Sequence, residues 1–395
     1  MYKVIANLRH TLDKLWTQTL PLGNKGTGSS EERSMALTLP DAQPPTGLLP
    51  LEQAWLQLVQ TEVETSLAEL FELPDEAGLD VRWTQALTQA RAYTLRPAKR
   101  LRPALVMAGH CLARGSAVVP SGLWRFAAGL ELLHTFLLIH DDVADQAELR
   151  RGAAPLHRML APGRAGEDLA VVVGDHLFAR ALEVMLGSGL TCVAGVVQYY
   201  LGVCRHTAAG QYLDLDLGRA PLAEVTLFQT LRVAHLKTAR YGFCAPLVCG
   251  AMLGGASSGL VEELERVGRH VGLAYQLRDD LLGLFGDSNV AGKAADGDFL
   301  QGKRTFPVLA AFARATEAER TELEALWALP VEQKDAAALA RARALVESCG
   351  GRAACERMVV RASRAARRSL QSLPNPNGVR ELLDALIARL AHRAA

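Results

Sequence analysis

The stretch Glu131–Gly152, ELLHTFLLIHDDVADQAELRRG, decides how the chain is read. An apolar run from Leu132 to Ile139 leads into three carboxylates, Asp141, Asp142 and Asp145, and two guanidiniums, Arg150 and Arg151, follow. Asp141 and Asp145 are four residues apart, so on a helix they lie one turn apart on one face. Two like charges that close repel unless a cation sits between them. A hard divalent ion such as Mg2+ takes one or two carboxylates and completes its shell with water and phosphate oxygens. Arginines grip phosphate in bidentate fashion. The order apolar wall, acids, guanidiniums points to a ligand with a greasy body and a diphosphate head. A solvated helix end would show a polar face in the preceding run, and this run is apolar.

Partner motifs lie outward in both directions. Upstream, PAKRLRP puts Lys99, Arg100 and Arg102 at a helix start, where unpaired amides help to hold an anion. His134 stands seven residues before Asp141, two turns up the same face. Downstream come Gly174-Asp175 in an apolar stretch, Gln211 and Asp214 in GQYLDLDLG, and Lys237-Thr238 in HLKTARYGF. Such polar groups in apolar surroundings must pair with one another or face a wet, ion-lined cavity. The last cluster, YQLRDDLLGLFGDSNVAGKAADGDFLQGKRTFP, is a second acidic motif of Gln276, Asp279 and Asp280. A glycine-rich segment bearing Asp287, Lys293, Asp296, Asp298, Lys303 and Arg304 follows it. Two acidic motifs on separate helices, each followed by cations, suit Mg2+ ions gathered around one diphosphate.

The rest of the chain is consistent with a helical body. From Leu51 onward apolar residues recur at helical spacing, as in Leu51, Trp55, Leu58 and Val59. Breaks are expected at Leu73-Pro74, Gly115 to Gly122, Pro162 to Gly166, Gly187 to Gly189, Gly254 to Gly259 and Pro374 to Gly378. No βαβ alternation appears, so the expected fold is all-α: one domain of roughly a dozen helices that shelter a central cavity. The expected division is an N-terminal extension, 1–50, and one domain, 51–395. In the extension, Val4, Ile5, Leu8, Leu12 and Leu15 predict a short basic amphipathic helix, and residues 22–49 read as a flexible linker.

Apolar residues make up 49% of the 395 and net charge is +1, so no global field points to nucleic acid. The seven cysteines form no CxxC and read as buried thiols of a reducing cytoplasm. No uninterrupted apolar segment long enough to span a bilayer stands out, and the start lacks the apolar block of a secretory signal.

Taken together, KRLRP, ELLHTFLLIHDDVADQAELRRG, GDHLFARA, GQYLDL, KTARYGF, YQLRDDLLGLFGD and GKRTFP resemble the trans-type isoprenyl diphosphate synthases, the polyprenyl synthetase group. The resemblance runs from about Leu51 to the end. It implies a helical bundle around a hydrophobic cavity, usually a homodimer, that condenses isopentenyl diphosphate with an allylic diphosphate. It implies that Lys99, Arg102, His134 and Arg151 bind isopentenyl diphosphate, and that Arg150, Lys237, Thr238, Gln276 and Lys303 bind the allylic diphosphate. It further implies Mg2+ ligands at Asp141, Asp145 and Asp279, with three ions per site once substrate is bound. Asp142, Lys237 and Asp280 join these aspartates in the catalytic set.

Two departures stand inside the resemblance. Pro97-Ala98 replaces a usual Gly-Gly, and Gly283 stands where many members carry a third aspartate. Phe136 and Leu137, five and four residues before Asp141, are the expected chain-length residues. A bulky fifth position beside a smaller fourth resembles geranylgeranyl diphosphate synthases; farnesyl and longer-chain synthases are the alternatives. A class I terpene cyclase would carry an Asn/Asp-Ser-Glu triad, which is absent. A silent regulatory subunit would lack its aspartates, and a metal phosphohydrolase built on His134, His140 and Asp141 would leave the second acidic motif without a task.

Overall fold

The computed structural model describes residues 34–36, 51–72, 79–286 and 297–391. The predicted helix over 2–16, the break at Leu73-Pro74, and Asp287, Lys293 and Asp296 lie outside them. The helices are α1 (Leu51–Glu69), α2 (Val81–Thr94), α3 (Leu101–Arg114), α4 (Ser121–Ala144) and the short α5 (Leu156–Leu160). Next come α6 (Gly163–Leu186), α7 (Val193–Leu217) and α8 (Leu227–Val233), which runs into a π-helical segment, Ala234–Cys244. Then follow α9 (Ala245–Leu253), α10 (Ser258–Phe285), the single turn α11 (Gly297–Leu300) and α12 (Phe306–Phe312). The chain closes with α13 (Glu317–Ala328), α14 (Ala336–Ser348), α15 (Gly351–Gln371) and α16 (Val379–Ala391). The fold is all-α, as the helical spacing predicts.

Local signals set the ends. Thr226 starts α8 and Thr316 starts α13, each in a reciprocal capping box, with Gln229 and Glu319 respectively. Gly115 ends α3 in the left-handed conformation at φ 67°. Two readings shift. Pro162 precedes α6, but Gly166 lies inside that helix rather than in a break. Within the stretch read as a linker, Ser34–Ala36 (β1) pairs antiparallel with Val118–Pro120 (β2), a contact that only long-range pairing could reveal.

α4 runs through the main core, which buries Leu123, Phe126, Leu130, Leu132 and Leu133 completely or nearly so. Among the described helices it is long and apolar enough to cross a membrane, contrary to the sequence reading; however, 78% of its most apolar window is buried inside the protein. It is a core helix that ends in charges. A separate core of Leu284, Phe299, Val308 and Trp327 ties α10, α11, α12 and α13 together. That second core carries the segment holding Lys303 back toward the end of α4.

The packing sets an acid limit. Burial, then Arg114, pulls the pKa of His110 down to about 4, and burial, then Arg269, does the same for His270. Below the ordinary value of 6.5 the unfolded chain binds protons that the folded chain refuses, so stability is full above pH 6.5 and falls toward pH 4. For the buried His110 the whole effect is about 3 kcal/mol. The melting temperature should therefore decline from pH 7 to pH 4.5, and His110→Gln should flatten part of that slope in scanning calorimetry. A flat profile in the wild type would contradict this.

Candidate active site

The first acidic motif sits where α4 stops. Asp145 caps the helix, and its N–H donates to the Asp141 carbonyl at 2.8 Å, so both carboxylates hang from one terminal turn. Asp141 Oδ2 lies 3.3 Å from Arg150 Nη2, and its Oδ1 lies 3.4 Å from Lys237 Nζ. Lys237 also donates to Asp214 Oδ2 at 2.7 Å. Gly210 makes that approach possible: a β-carbon there would stand 2.6 Å from the Lys237 backbone nitrogen. Burial alone would lower the Lys237 pKa, but Asp141, Asp214 and Asp145 outweigh it and hold the ammonium well above its ordinary value.

The segment that follows the second motif reaches the first. Lys303 Nζ donates to Asp145 Oδ2 at 2.9 Å across 158 residues of sequence, and Gln301 Nε2 donates to the Asp145 carbonyl at 3.0 Å. Thr238 donates to Gln276 Oε1 at 2.5 Å, and Gln276 Nε2 donates to Asp280 Oδ1 at 2.8 Å. Lys237 and Thr238 both lie in the π-helical segment, a rare geometry that concentrates at functional sites. His134 shares a short hydrogen bond through Nδ1 with Tyr241 on that segment, and the Arg102 guanidinium lies 4.5 Å over the Tyr241 ring. Burial, then Arg102 and Arg151, keeps His134 far below its ordinary pKa and therefore neutral.

Several expected site residues stand one step back. Asp142 is fully buried: it accepts from Tyr93 Oη at 2.7 Å and from Arg150 Nε at 2.6 Å. It fixes Arg150 rather than facing a ligand. Asp280 is buried as well, accepting from Gln276 and, at 3.4 Å, from the Phe306 N–H. Burial, then Asp298, pushes its pKa up to about 8, so it too positions its neighbours. Arg100 does not converge with Lys99 and Arg102 on an anion. Its guanidinium is buried and donates to Glu131 at 2.9 Å, Glu64 at 3.2 Å and the Thr94 carbonyl at 2.9 Å. Lys99 is exposed, beyond this buried anchor. Asp175 is exposed on α6, 3.6 Å from His140, outside the acidic cluster. His140 itself leans on α6 through Val171 O at 3.2 Å, which removes the basis of a phosphohydrolase site.

Sequence reasoning missed Tyr93, Tyr241, Glu131 and Gln60. Glu131 carried a signal, a lone acid inside an apolar run. Gln60 clamps the Pro97-Ala98 turn by donating to the Ala98 carbonyl at 2.5 Å, which supplies the stiffness that this departure implies. Arg100 and Arg151 hold left-handed backbones at φ 44° and 54°, strain that concentrates at functional sites. Arg151 Nη1 also reaches the Arg96 carbonyl at 3.5 Å.

Among the described residues, no three acidic, cysteine or histidine side chains converge to hold a metal alone. Asp141 and Asp145, on one terminal turn, offer oxygen donors only, which fits a hard divalent ion that takes the rest of its shell from phosphate and water. Two acidic motifs, tied together through Lys303 and flanked by Lys237, stand at one end of an all-α body. Residues 84–346 match the polyprenyl synthetase family model. The short chain isoprenyl diphosphate synthase of Methanothermobacter thermautotrophicus is 34% identical over 57% of this chain and 66% of that protein. The geranylgeranyl diphosphate synthase of Mycobacterium tuberculosis is 35% identical over 70% of this chain and 75% of its own length. The crystal structure of geranylgeranyl pyrophosphate synthase from Corynebacterium glutamicum, complexed with isoprenyl diphosphate and magnesium, superposes with a TM-score of 0.78 at 29% identity. It covers 87% of this chain and all of that one. The chain belongs to the polyprenyl synthetase family.

Proposed function

We propose that this prenyltransferase joins isopentenyl diphosphate to an allylic diphosphate head to tail and releases geranylgeranyl diphosphate. The observation that carries the reading is the pairing of Lys303 with Asp145, which ties the segment after the second motif to the first. Arg150, Lys237, Thr238, Gln276 and Lys303 would hold the allylic diphosphate, and Lys99, Arg102, His134 and Arg151 the isopentenyl diphosphate. Asp141, Asp145 and Asp279 would hold divalent ions, three in the filled site. When bound, these ions neutralise the leaving diphosphate.

The chain's own residues supply the remainder. The Lys237 and Lys303 ammonium groups stay charged and stabilise negative charge as the C–O bond breaks and the diphosphate leaves with the bonding pair. The apolar wall of α4 keeps water from the allylic cation. The held isopentenyl double bond then attacks that cation to form the new C–C bond. Loss of a proton to the released diphosphate regenerates a double bond. His134, neutral and tied to Tyr241, offers a hydrogen bond rather than a charge to its phosphate.

Phe136 supports the twenty-carbon product. Its ring packs 4.5 Å from His140 and 5.2 Å from Phe178, a braced stop on the helix that carries Asp141. Purified protein incubated with Mg2+, isopentenyl diphosphate and dimethylallyl, geranyl or farnesyl diphosphate in turn should yield mainly geranylgeraniol after dephosphorylation. Phe136→Ala should extend the product by one or more isoprene units. A farnesol-only product would overturn the chain length, and no elongation with any primer would overturn the function.

The same reading includes a homodimer. Leu169 and Val172 on α6 and Tyr212 on α7 are 50%, 58% and 67% exposed, a pattern that suits a covered face. Sedimentation equilibrium at twice the chain mass is the expected result. We assign residues 51–395 to one catalytic domain, 1–50 to an extension, and the protein to the cytoplasm, where its seven free thiols stay reduced; five are buried as expected, but Cys192 is exposed and Cys204 half-buried.

A further inference from the structure

The first acidic motif has a carboxylate one turn beyond Asp141, at Asp145. The second has none one turn beyond Asp279, because that position is Gly283. Another element fills the gap. A β-carbon at Gly283 would overlap Oδ2 of Asp298 and stand 2.6 Å from its Cγ. The Asp298 carboxylate therefore rests against bare helix backbone, in the volume that a side chain at 283 would take.

The placement is built rather than incidental. Asp298 lies in α11, which is anchored by the fully buried Phe299 packed edge-on against Trp327 at 5.2 Å. The Lys303 N–H donates to the Asp298 carbonyl at 2.8 Å, fixing the turn on the side of the lysine that reaches Asp145. The Asp298 charge raises the pKa of both Asp280 and Lys303, so its carboxylate lies between the buried end of the second motif and the lysine that reaches Asp145. A glycine inside a helix is unfavourable relative to alanine. The room it leaves for a carboxylate gives that cost a use. Lys303 already has Asp145 as its partner at 2.9 Å, so neutralising Lys303 does not by itself account for the fit against Gly283.

We propose that Asp298 is the missing carboxylate of the second motif, a positioning residue that completes the divalent-ion site with Asp279, and that positions 283 and 298 are exchangeable. This rests on the reading above in which divalent ions gather between the motifs. The test is a titration of Mn2+ in the presence of inorganic diphosphate, with bound ion counted by electron paramagnetic resonance and folding followed by circular dichroism. Asp298→Asn, which keeps size and removes charge, should weaken the most loosely held Mn2+ by about 10-fold to 100-fold. The double variant G283D/D298G, which moves the carboxylate onto α10, should recover most of that loss.

Wild-type affinity in D298N overturns the proposal. So does a folded exchange variant that binds as weakly as D298N, because Asp298 would then act only on its local turn. A wild-type protein that takes up no Mn2+ with diphosphate would overturn the reading of the site itself, a result distinct from either of these.

Discussion

Asp141→Asn is expected to lower kcat by about 100-fold to 1,000-fold and to raise the Mg2+ concentration needed for half-maximal rate. Asp141 is the carboxylate on which Arg150 and Lys237 both converge, at 3.3 and 3.4 Å. Its removal takes one negative charge from the place where ions and diphosphate are to be gathered. The fold should tolerate the change: Arg150 keeps the buried Asp142, and Lys237 keeps Asp214 at 2.7 Å. Steady-state kinetics across a Mg2+ series, beside a melting curve, checks both halves. Activity within tenfold of wild type at saturating Mg2+ would remove Asp141 from the ion site. A collapse in melting temperature would make its role structural.

The largest effect on stability should come from Glu131→Gln. Arg100 and Glu131 form a nearly dry ion pair, their side chains 0% and 2% exposed, and Arg100 is held in a left-handed backbone at φ 44°. Removing the Glu131 charge leaves the buried guanidinium with the part-exposed Glu64 as its acidic partner, and the loss of the dry side of the pair costs about 3 to 5 kcal/mol. At about 2 °C per kcal/mol for a large domain, the melting temperature should fall by roughly 6 to 10 °C. Glu64→Gln is the internal comparison. Glu64 bonds the same Arg100 at 3.2 Å, but its side chain is 38% exposed, so its loss should cost under about 1 kcal/mol. Equal effects from the two variants would show that the buried pair is not the anchor. Because Arg100 lies between Lys99 and Arg102, Glu131→Gln should also raise KM for isopentenyl diphosphate more than for the allylic substrate.

Much of the site was legible because its chemistry is local. Asp141 and Asp145 read as one face because four residues make about one helical turn, and the structure hangs both from one terminal turn. Lys237, Thr238 and Gln276 were legible because a polar group in an apolar helix needs a partner, and Lys303 because it follows the second acidic motif in a glycine-rich segment. Which partner it finds is a different matter. Asp142 and Arg100 carry the same residue types as their neighbours Asp141 and Arg102, and a neighbouring position on a helix points elsewhere. Only packing shows that Tyr93 and Arg150 take up Asp142, and that Glu131 and Glu64 take up Arg100.

By itself, the sequence determined the all-α class, the order of the motifs and the existence of two acidic motifs on separate helices, because periodicity and spacing write those directly. Tertiary structure alone decided the closure of Lys303 onto Asp145 across 158 residues, the brace of Phe136 on Phe178, and the seating of Asp298 in the space left by Gly283. The reason is physical. A helix fixes where side chains stand relative to residues three or four away, whereas contacts between helices depend on how whole elements pack, and that arrangement is set by the core.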